Sequence, residues 1–370
     1  MTEFAKFNED VLFGRSGGKI LWQPRIGCWY YDKRFAGEPL PAPYTGRNLP
    51  EIYRLLGCSD HLYDWYNPCF ERIEDERVRF ERKNLNERER ETIITTPAGA
   101  QRAVDRFSPN STHLYHLKWE VTTEEELEVA AWREEHATWR WNQEAFDRAQ
   151  AEVGDLGTPT IYLPRMNVQS IYLDKMGVEN GVYALHDWPD RVEAYFRALE
   201  VSDGRLLDVV NASPVNIINM GENVHAGTLS PDLFERYHLP ACRRRCEKLH
   251  GSGKFVYAHW DGDCRPLLPF ARETLLDGIE AITPEPQGDV TLAEVKQALG
   301  DDIFLFDGIP AIYFDSTYSE AQLVACVHEI IELFAPKLIL GISDELTSTG
   351  DIERIRVVGR IVDEYNASCA

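Results

Sequence analysis

The sequence lacks an apolar run of the about 20 residues that a membrane-spanning helix requires, and its first ten residues contain no hydrophobic signal segment. Its eight cysteines form no Cys-x-x-Cys pair, which is typical of reduced thiols rather than of a disulfide framework. These absences predict a soluble, cytoplasmic protein with no membrane partner.

Basic residues are scarce. There are 39 Lys and Arg against 61 Asp and Glu, which gives a formal net charge of −22. Such a charge repels nucleic acid and anionic membrane surfaces, and a polyanionic substrate would need a local basic pocket. We therefore expect a small-molecule substrate and no nucleic-acid partner.

No glycine-rich phosphate turn follows a candidate strand, and the sequence contains no internal repeat or low-complexity linker. One domain over residues 1–370 is therefore predicted. The length exceeds the roughly 250 residues of a TIM barrel and leaves room for an irregular N-terminal elaboration over residues 1–115, which includes the first strand. Its charged segment, residues 71–91, interleaves both signs and indicates a solvated hairpin or helix face.

From about residue 155 to the C-terminus, short apolar runs alternate with helix-period segments, which indicates regular βα units. Ser230 and Thr291 are predicted to cap two of the helices, which end at His250 and Leu299. The fold class is α/β, and a (β/α)8 TIM barrel is favoured over an open doubly wound sheet. ILWQPRIG (20–27) is a candidate first strand, and an eighth strand is expected in the irregular region. The six strands visible in the regular part are TIYLP (160–164), VNIINMG (215–221), KFVYAHW (254–260), GIEAITP (278–284), IFLFDG (303–308) and KLILGIS (337–343).

Acidic and histidine side chains lie in or just after five of these strands, where the active sites of parallel α/β folds lie. Any one of them could be a helix cap, but five in succession predict a shared site. Carboxylates that converge there repel unless a cation or a substrate neutralises them. The residues are Glu222, Asn223, His225, His259, Asp261, Glu280, Asp307, Asp344 and Glu345.

The spacing of His259 and Asp261 allows both side chains to face the same way, and with Glu280 and one or two later acids they could bind a divalent cation. Asp344 and Glu345 are the later candidates, and the metal could be Zn²⁺, Mn²⁺ or Fe²⁺. Asp261 could equally be a loop hydrogen-bond partner. Cys242 and Cys246 could share a metal, although nothing with ligand spacing accompanies them.

Arg25 lies near the end of the first predicted strand, and Arg34 follows it. A guanidinium at this place could hold a substrate carboxylate, or it could form a structural ion pair with one of the many acids. Trp260 is a candidate for substrate contact and equally for the core.

The segment GENVHAGTLSPDLFERYHLPACRRRCEKLHGSGKFVYAHWDGD resembles the uroporphyrinogen decarboxylase-like superfamily, which includes corrinoid-dependent methyltransferases. SPDLFERYHLPACRRRCEKLHGSGK is similar to a helix and turn of that family, and DGIEAITPEPQGDVTLAEVKQALGDDIFLFDGIP to its strand, helix and strand. The resemblance extends from about residue 155 to the C-terminus, is moderate for the first strand and is poor between about residues 40 and 115.

In the methyltransferase branch and the related cobalamin-independent methionine synthases, a histidine, two cysteines and in some members an acid hold zinc. The resemblance places His259 and Glu280 at the histidine and the acid, whereas Asp261 and the segment SDEL stand where cysteines are expected. In the decarboxylase branch, arginines after the first strand hold substrate carboxylates, and Arg25 and Arg34 fall in a similar place.

The leading hypothesis is a metal-assisted methyltransferase that acts on a small molecule, with zinc as the metal. Glu222, His225, Arg25 and Asp307 are the predicted catalytic residues, and Asn223, Trp260 and Arg34 are predicted to contact substrate. A folate or a corrinoid (cobalamin) on a partner protein would carry the methyl group, and a homodimer is possible. The alternatives are a metal-free carboxy-lyase and a non-catalytic accessory subunit.

Overall fold

The computed structural model describes residues 3–109 and 114–369. Thirteen strands lie in this part of the chain: β1 Leu21–Trp22, β2 Phe70–Ile73, β3 Arg79–Asn84, β4 Glu89–Thr96, β5 Gly99–Phe107, β6 Leu114–Lys118, β7 Thr138–Trp141, β8 Thr160–Tyr162, β9 Ile217–Asn219, β10 Phe255–His259, β11 Gly278–Glu280, β12 Phe304–Pro310 and β13 Leu338–Ser343.

The α-helices of the same residues are α1 Phe4–Leu12, α2 Gly27–Phe35, α3 Leu49–Leu56, α4 Tyr63–Tyr66, α5 Glu124–His136, α6 Gln143–Val153, α7 Asn167–Ser170, α8 Val178–Asp187, α9 Pro189–Ala212, α10 Pro231–Leu233, α11 Leu239–His250, α12 Leu292–Leu299, α13 Glu320–Phe334 and α14 Arg354–Ser368. Tighter or wider helical turns cover Asn67–Cys69, Ile171–Lys175, Phe234–His238, Arg265–Thr274 and Ala311–Phe314. None of the helices in the described ranges has the length and apolar character that crossing a membrane requires.

The chain forms two compact units. The first comprises residues 1–68, 143–163 and 215–370, and the second comprises residues 69–142 and 164–214. The single-domain organisation stays a prediction.

The first unit contains a curled, parallel seven-stranded sheet with the strand order β1-β13-β12-β11-β10-β9-β8. All seven predicted strands are present, and helices connect them as the βα pattern predicted. Ser230 and Thr291 accept backbone hydrogen bonds as helix caps, as the sequence indicated. The α/β class with a large parallel sheet is confirmed.

No eighth strand joins this sheet within the described residues. The segment Cys58–Leu62 bonds on both sides instead: the Ser59 amide donates to the Trp22 carbonyl at 3.1 Å, and the Asp60 amide donates to the Leu156 carbonyl at 3.0 Å. Trp22 lies in β1, and Leu156 lies four residues before β8. This short segment has no strand-like pattern of its own, which explains why the sequence did not reveal it.

An apolar cluster closes the amino-terminal end of the parallel sheet. Val11 and Leu12 of α1 pack with the first residues of several strands, among them Ile217 and Phe304. Apolar burial of this kind contributes roughly 25 cal/mol per Å² of area removed from water. The opposite end of the strands is therefore the one available for polar side chains.

The second unit contains an antiparallel sheet with the order β3-β4-β5-β6, a β2–β7 ladder, and α5 packed against α9. The charged segment 71–91 forms β2 and the β3–β4 hairpin, which confirms the hairpin alternative. All six side chains of β3 are exposed, and this strand pairs with β4 alone in its sheet.

Candidate active site

Arg25 is the centre of a buried charged cluster beyond the end of β1. Its Nη2 atom donates to Asp307 Oδ2 at 3.1 Å, and its Nη1 atom lies 4.0 Å from Glu280 Oε2. Asp344 Oδ1 lies 3.9 Å from Nη2, and its side chain is 59% exposed, so the cluster reaches solvent there. Of the two alternatives that the sequence left open for Arg25, the structure contains the ion pair.

Glu280 is fully buried, and one of its oxygens receives three hydrogen bonds. Oε2 accepts from the Tyr162 hydroxyl at 3.1 Å, from Asn219 Nδ2 at 3.0 Å and from His259 Nδ1 at 2.8 Å. These residues end neighbouring parallel strands. Tyr162 is the register partner of Asn219, and His259 is the register partner of Glu280. Of the residues predicted to converge at the strand ends, His259 and Glu280 are therefore in direct contact.

Opposing effects set the ionisation of this cluster. Burial works against the charge of Arg25, yet the carboxylates of Asp307 and Glu280 outweigh it and raise the Arg25 pKa well above its usual value. Burial opposes ionisation of Glu280 as well, but the Arg25 charge and the His259 hydrogen bond hold the Glu280 pKa well below its usual range. Burial raises the pKa of Asp307 well above its ordinary value, against the pull of Arg25. Glu280 is thus ionised at neutral pH, and Asp307 is the carboxyl group that readily keeps a proton.

His61, in the segment 58–62, completes the cluster. Its Nδ1 atom lies 3.5 Å from Glu280 Oε1, and the ring is hydrogen-bonded to the backbone of Gln23. Burial lowers the pKa of His61 to about 4, so the imidazole is neutral at neutral pH. Burial also raises the pKa of the neighbouring Asp60 to about 8, although a hydrogen bond from Tyr53 opposes this.

Two features of the cluster are expected to destabilise the folded protein. Glu280 Oε1 and His61 Nε2 are buried and have no hydrogen-bond partner among the described residues. Ala281, Asp307 and Asp344 have φ values of +67°, +71° and +73°, and they lie in or directly after the adjacent strands β11, β12 and β13. Unsatisfied buried polar atoms and strained non-glycine residues are typical of functional sites.

Several predicted residues lie in other contacts. The Glu222 carboxylate is buried, 3.9 Å from Arg245 Nη1. His225 is half-buried, and its Nε2 atom lies 3.1 Å from the Thr228 hydroxyl. Asn223 is half-buried as well. The functional roles of these three residues stay predictions.

The two other predicted substrate contacts have separate surroundings. Trp260 is fully buried and packs edge-on against Phe234 with ring centroids 5.5 Å apart. Arg34 is exposed and donates to the Tyr30 hydroxyl at 2.5 Å. Aromatic packing of this kind is what the core alternative for Trp260 predicts.

Two of the predicted metal ligands, Glu345 and Asp261, accept hydrogen bonds from backbone amides. Glu345 Oε2 accepts the Cys28 amide hydrogen at 2.6 Å, and Asp261 Oδ1 accepts the Gly262 amide hydrogen at 2.6 Å. Within residues 3–109 and 114–369, no group of three or more His, Cys, Asp or Glu residues is placed to hold a metal ion. That includes Cys242 and Cys246, where the Cys242 thiol donates to Met220 Sδ at 3.7 Å.

The remaining contacts test whether zinc fits. His259 directs Nδ1 at Glu280, and the Glu280 oxygen nearest to it already accepts three hydrogen bonds. Asp344 faces the guanidinium of Arg25, which is itself a cation. The expected ligand set, His259 and Glu280 with one or two of Asp261, Asp344 and Glu345, is not assembled around one point among the described residues, and we derive no chemical step through a metal.

Sequence reasoning missed three residues that contact Glu280. Tyr162 and Asn219 lie inside predicted strands, where only acids and histidines were considered as site residues. A period-two assessment of those strands could have found both. His61 lies between residues 40 and 115, where neither periodicity nor resemblance located a strand.

This fold and this cluster define an α/β protein with a polar site at the carboxyl ends of a parallel sheet. Comparison with solved structures finds a methyltransferase from Methanosarcina mazei at a TM-score of 0.58 and 13% identity, over 96% of this chain and 97% of that one. A B12-independent methionine synthase from Shewanella sp. W3-18-1 matches at a TM-score of 0.40 and 12% identity, over 86% of each chain, which is too low to carry an argument. No family model and no curated protein matches the sequence. The first likeness confirms, at the level of the fold, the resemblance noted in the sequence.

Proposed function

We propose that this protein is an enzyme that transfers a methyl group to or from a small molecule bound at the Glu280 cluster. The observation that carries the proposal is the ionised and fully buried Glu280, with one oxygen unpartnered among the described residues. The methyltransferase from Methanosarcina mazei shares the fold over nearly the whole length of both chains.

Glu280 is well suited to orient a substrate. Tyr162, Asn219 and His259 hold its Oε2 atom, so the carboxylate has a fixed direction before any ligand arrives. Removing a preorganised polar group at the reacting centre typically costs about 10²–10³ in rate. Burial of the cluster also excludes water, which strengthens electrostatic contacts with a bound group.

We also propose that Cys58–Leu62 takes the place of an eighth strand, so that the sheet closes as a (β/α)8 barrel. Its hydrogen bonds towards β1 and towards the segment before β8 support this. In such a barrel the active site lies at the carboxyl ends of the strands, where the Glu280 cluster with Arg25 lies.

Zinc, a folate or a corrinoid-carrying partner protein as methyl source, and a homodimer remain proposals carried by the resemblance. The carboxy-lyase alternative finds no support: Arg25 already faces Asp307, and Arg34 contacts Tyr30.

The test is a methyl-transfer assay on the full chain. Isotope-labelled methyltetrahydrofolate and methylcobalamin are each supplied with pools of small thiols and amines, with and without added Zn²⁺, and labelled products are detected by mass spectrometry. We expect transfer that Glu280→Gln lowers about 100-fold. Asp277→Asn is the matched control, because this carboxylate also faces a histidine, His250, at 2.8 Å but lies before β11 rather than at its end.

Absence of transfer with both donors, or equal rates in Glu280→Gln and the unaltered chain, would contradict the proposal. Carbon dioxide release from a carboxylated compound would favour the lyase alternative instead. Tight association with a partner and no turnover would favour the accessory-subunit alternative.

A further inference from the structure

A cavity of about 510 Å³ in the first unit is lined by residues of α2, α4 and α6 and by the first turn of α3. None of its lining residues belongs to the Glu280 cluster. Cavities of about 300–1,000 Å³ are typical of small-molecule sites. The lining side chains that carry a ring or a charge are Tyr30, Tyr31, Arg34, Phe35, Trp65 and Glu152.

Aromatic side chains form much of the cavity wall. Tyr30 is buried, and Tyr31 packs edge-on against it with ring centroids 5.1 Å apart. Tyr31 and Phe35 are four residues apart, so they lie on the same face of α2, and each is 47% exposed. Trp65 of α4 adds a further ring. Exposed apolar side chains that border a cavity are typical of ligand-binding grooves, and aromatic rings pack well against other rings.

Two opposite charges line the same cavity without pairing. Arg34 donates to the Tyr30 hydroxyl at 2.5 Å, and its guanidinium lies over the Tyr30 ring, 5.3 Å from the centroid, so this side chain is anchored to the wall. Glu152 is exposed and lies near the end of α6. Among the described residues, neither Arg34 nor Glu152 forms an ion pair, with the other or with a third residue. Both charges are therefore available to a ligand.

We propose that this cavity binds a small aromatic zwitterion, of the chemical class of the aromatic amino acids. The ring of the ligand would lie against Tyr31, Phe35 and Trp65, its carboxylate would bind Arg34, and its ammonium group would bind Glu152. A ligand with a positive charge alone is repelled by the Arg34 guanidinium, and one with a negative charge alone is repelled by Glu152. A molecule that carries both charges matches both side chains. The inference does not rest on the proposed function.

The experiment measures binding to the full chain by calorimetry and thermal shift. The probes are phenylalanine and tryptophan, compared with three molecules that each lack one feature: phenethylammonium has no carboxylate, phenylpropionate has no ammonium group, and alanine has no ring. We expect each of these three to bind at least about tenfold more weakly than phenylalanine.

Variants assign the two charged contacts. Arg34→Gln should lower the affinity for phenylalanine about tenfold and leave that for phenethylammonium unchanged or higher. Glu152→Gln should lower the affinity for phenylalanine to a similar extent and leave that for phenylpropionate unchanged or higher. Arg148→Gln is the matched control, because Arg148 is an exposed arginine of α6 that pairs with Glu144 and does not line the cavity.

Binding of alanine as tight as that of phenylalanine, tighter binding of phenethylammonium or phenylpropionate, or no binding of either amino acid would overturn the inference. An equal loss of phenylalanine affinity in Arg148→Gln and Arg34→Gln would overturn it as well. Phenylalanine binding in a protein that transfers no methyl group would sustain this site and reject the proposed function.

Discussion

His259 and Glu280 are register partners on β10 and β11, and Nδ1 of the histidine lies 2.8 Å from Oε2 of the carboxylate. The same two strands are preceded by a second pair with the same separation, His250 and Asp277. The first pair is buried and the second is about one-third exposed. The partly exposed pair, His250 and Asp277, therefore serves as a control for effects attributed to the buried contact between His259 and Glu280.

Glu280→Gln should lower the free energy of unfolding by about 3 kcal/mol, because it removes one partner of a buried charge network. Asp277→Asn should cost less than about 1.5 kcal/mol, because water reaches that pair. Denaturant unfolding of both variants checks the difference. Equal losses would show that burial of the Glu280 charge has no special role in stability.

Gly341→Ala should destabilise the protein by about 2–3 kcal/mol through overpacking. A Cβ atom at this position would lie 2.2 Å from Asp307 Oδ1 and 2.9 Å from the Gln23 carbonyl oxygen, so Asp307 would have to move away from Arg25. The rate of methyl transfer by this variant should fall as well.

Gly359→Ala provides the comparison for that change. Gly359 lies inside α14, and its added Cβ would meet Trp22 at an ordinary 3.6 Å. Relief of glycine's backbone entropy should stabilise the helix by about 0.5–1 kcal/mol. Thermal unfolding measures both variants, and a stable Gly341→Ala protein would refute the packing argument.

Asp60→Asn should flatten the pH dependence of stability between about pH 4 and pH 8. The pKa of Asp60 rises from 3.8 in the unfolded chain to about 8 in the folded protein, mainly through burial. In that window the folded state holds a proton that the unfolded state has released, so stability falls as pH rises, by up to about 1.4 kcal/mol per pH unit. Unfolding curves at pH 5, 6, 7 and 8 should therefore diverge, with the variant gaining relative stability towards pH 8.

Glu345→Gln should make Cys28 more reactive towards a thiol reagent at neutral pH. Burial, then the nearby Glu345 carboxylate, raise the pKa of Cys28 to about 12, and only the thiolate reacts. Removing the Glu345 charge should lower that pKa and speed modification about tenfold, scaling with the thiolate fraction. Cys28→Ser identifies the signal, and an unchanged rate would mean that Glu345 does not act on the thiol.

The strands of the parallel sheet could be predicted because each is a short apolar run followed by a helix-period segment. β10 and β12, for example, are buried throughout, and such runs leave a clear pattern in the sequence. The segment Cys58–Leu62 left none, because backbone hydrogen bonds to Trp22 and Leu156 place it rather than any periodicity of its own.

The site was predictable to the extent that parallel strands end at one edge of a sheet. From that rule we predicted that His259, Glu280, Asp307 and Arg25 lie close together. It could not tell which polar side chains turn inward: Glu345 turns to the Cys28 amide, and His225 turns to Thr228. Those orientations depend on the conformations of loops, and loops leave no periodic pattern in the sequence.

β3 has a further consequence for how this protein behaves at high concentration. The margin of an antiparallel sheet offers unpaired amide and carbonyl groups to any passing chain, which is how fibrils start. At the margin formed by β3 the sequence reads Arg-Phe-Glu-Arg-Lys-Asn, and all six residues are exposed. A second copy that approached this margin would have to bury several charges, so β3 is protected against pairing with another chain.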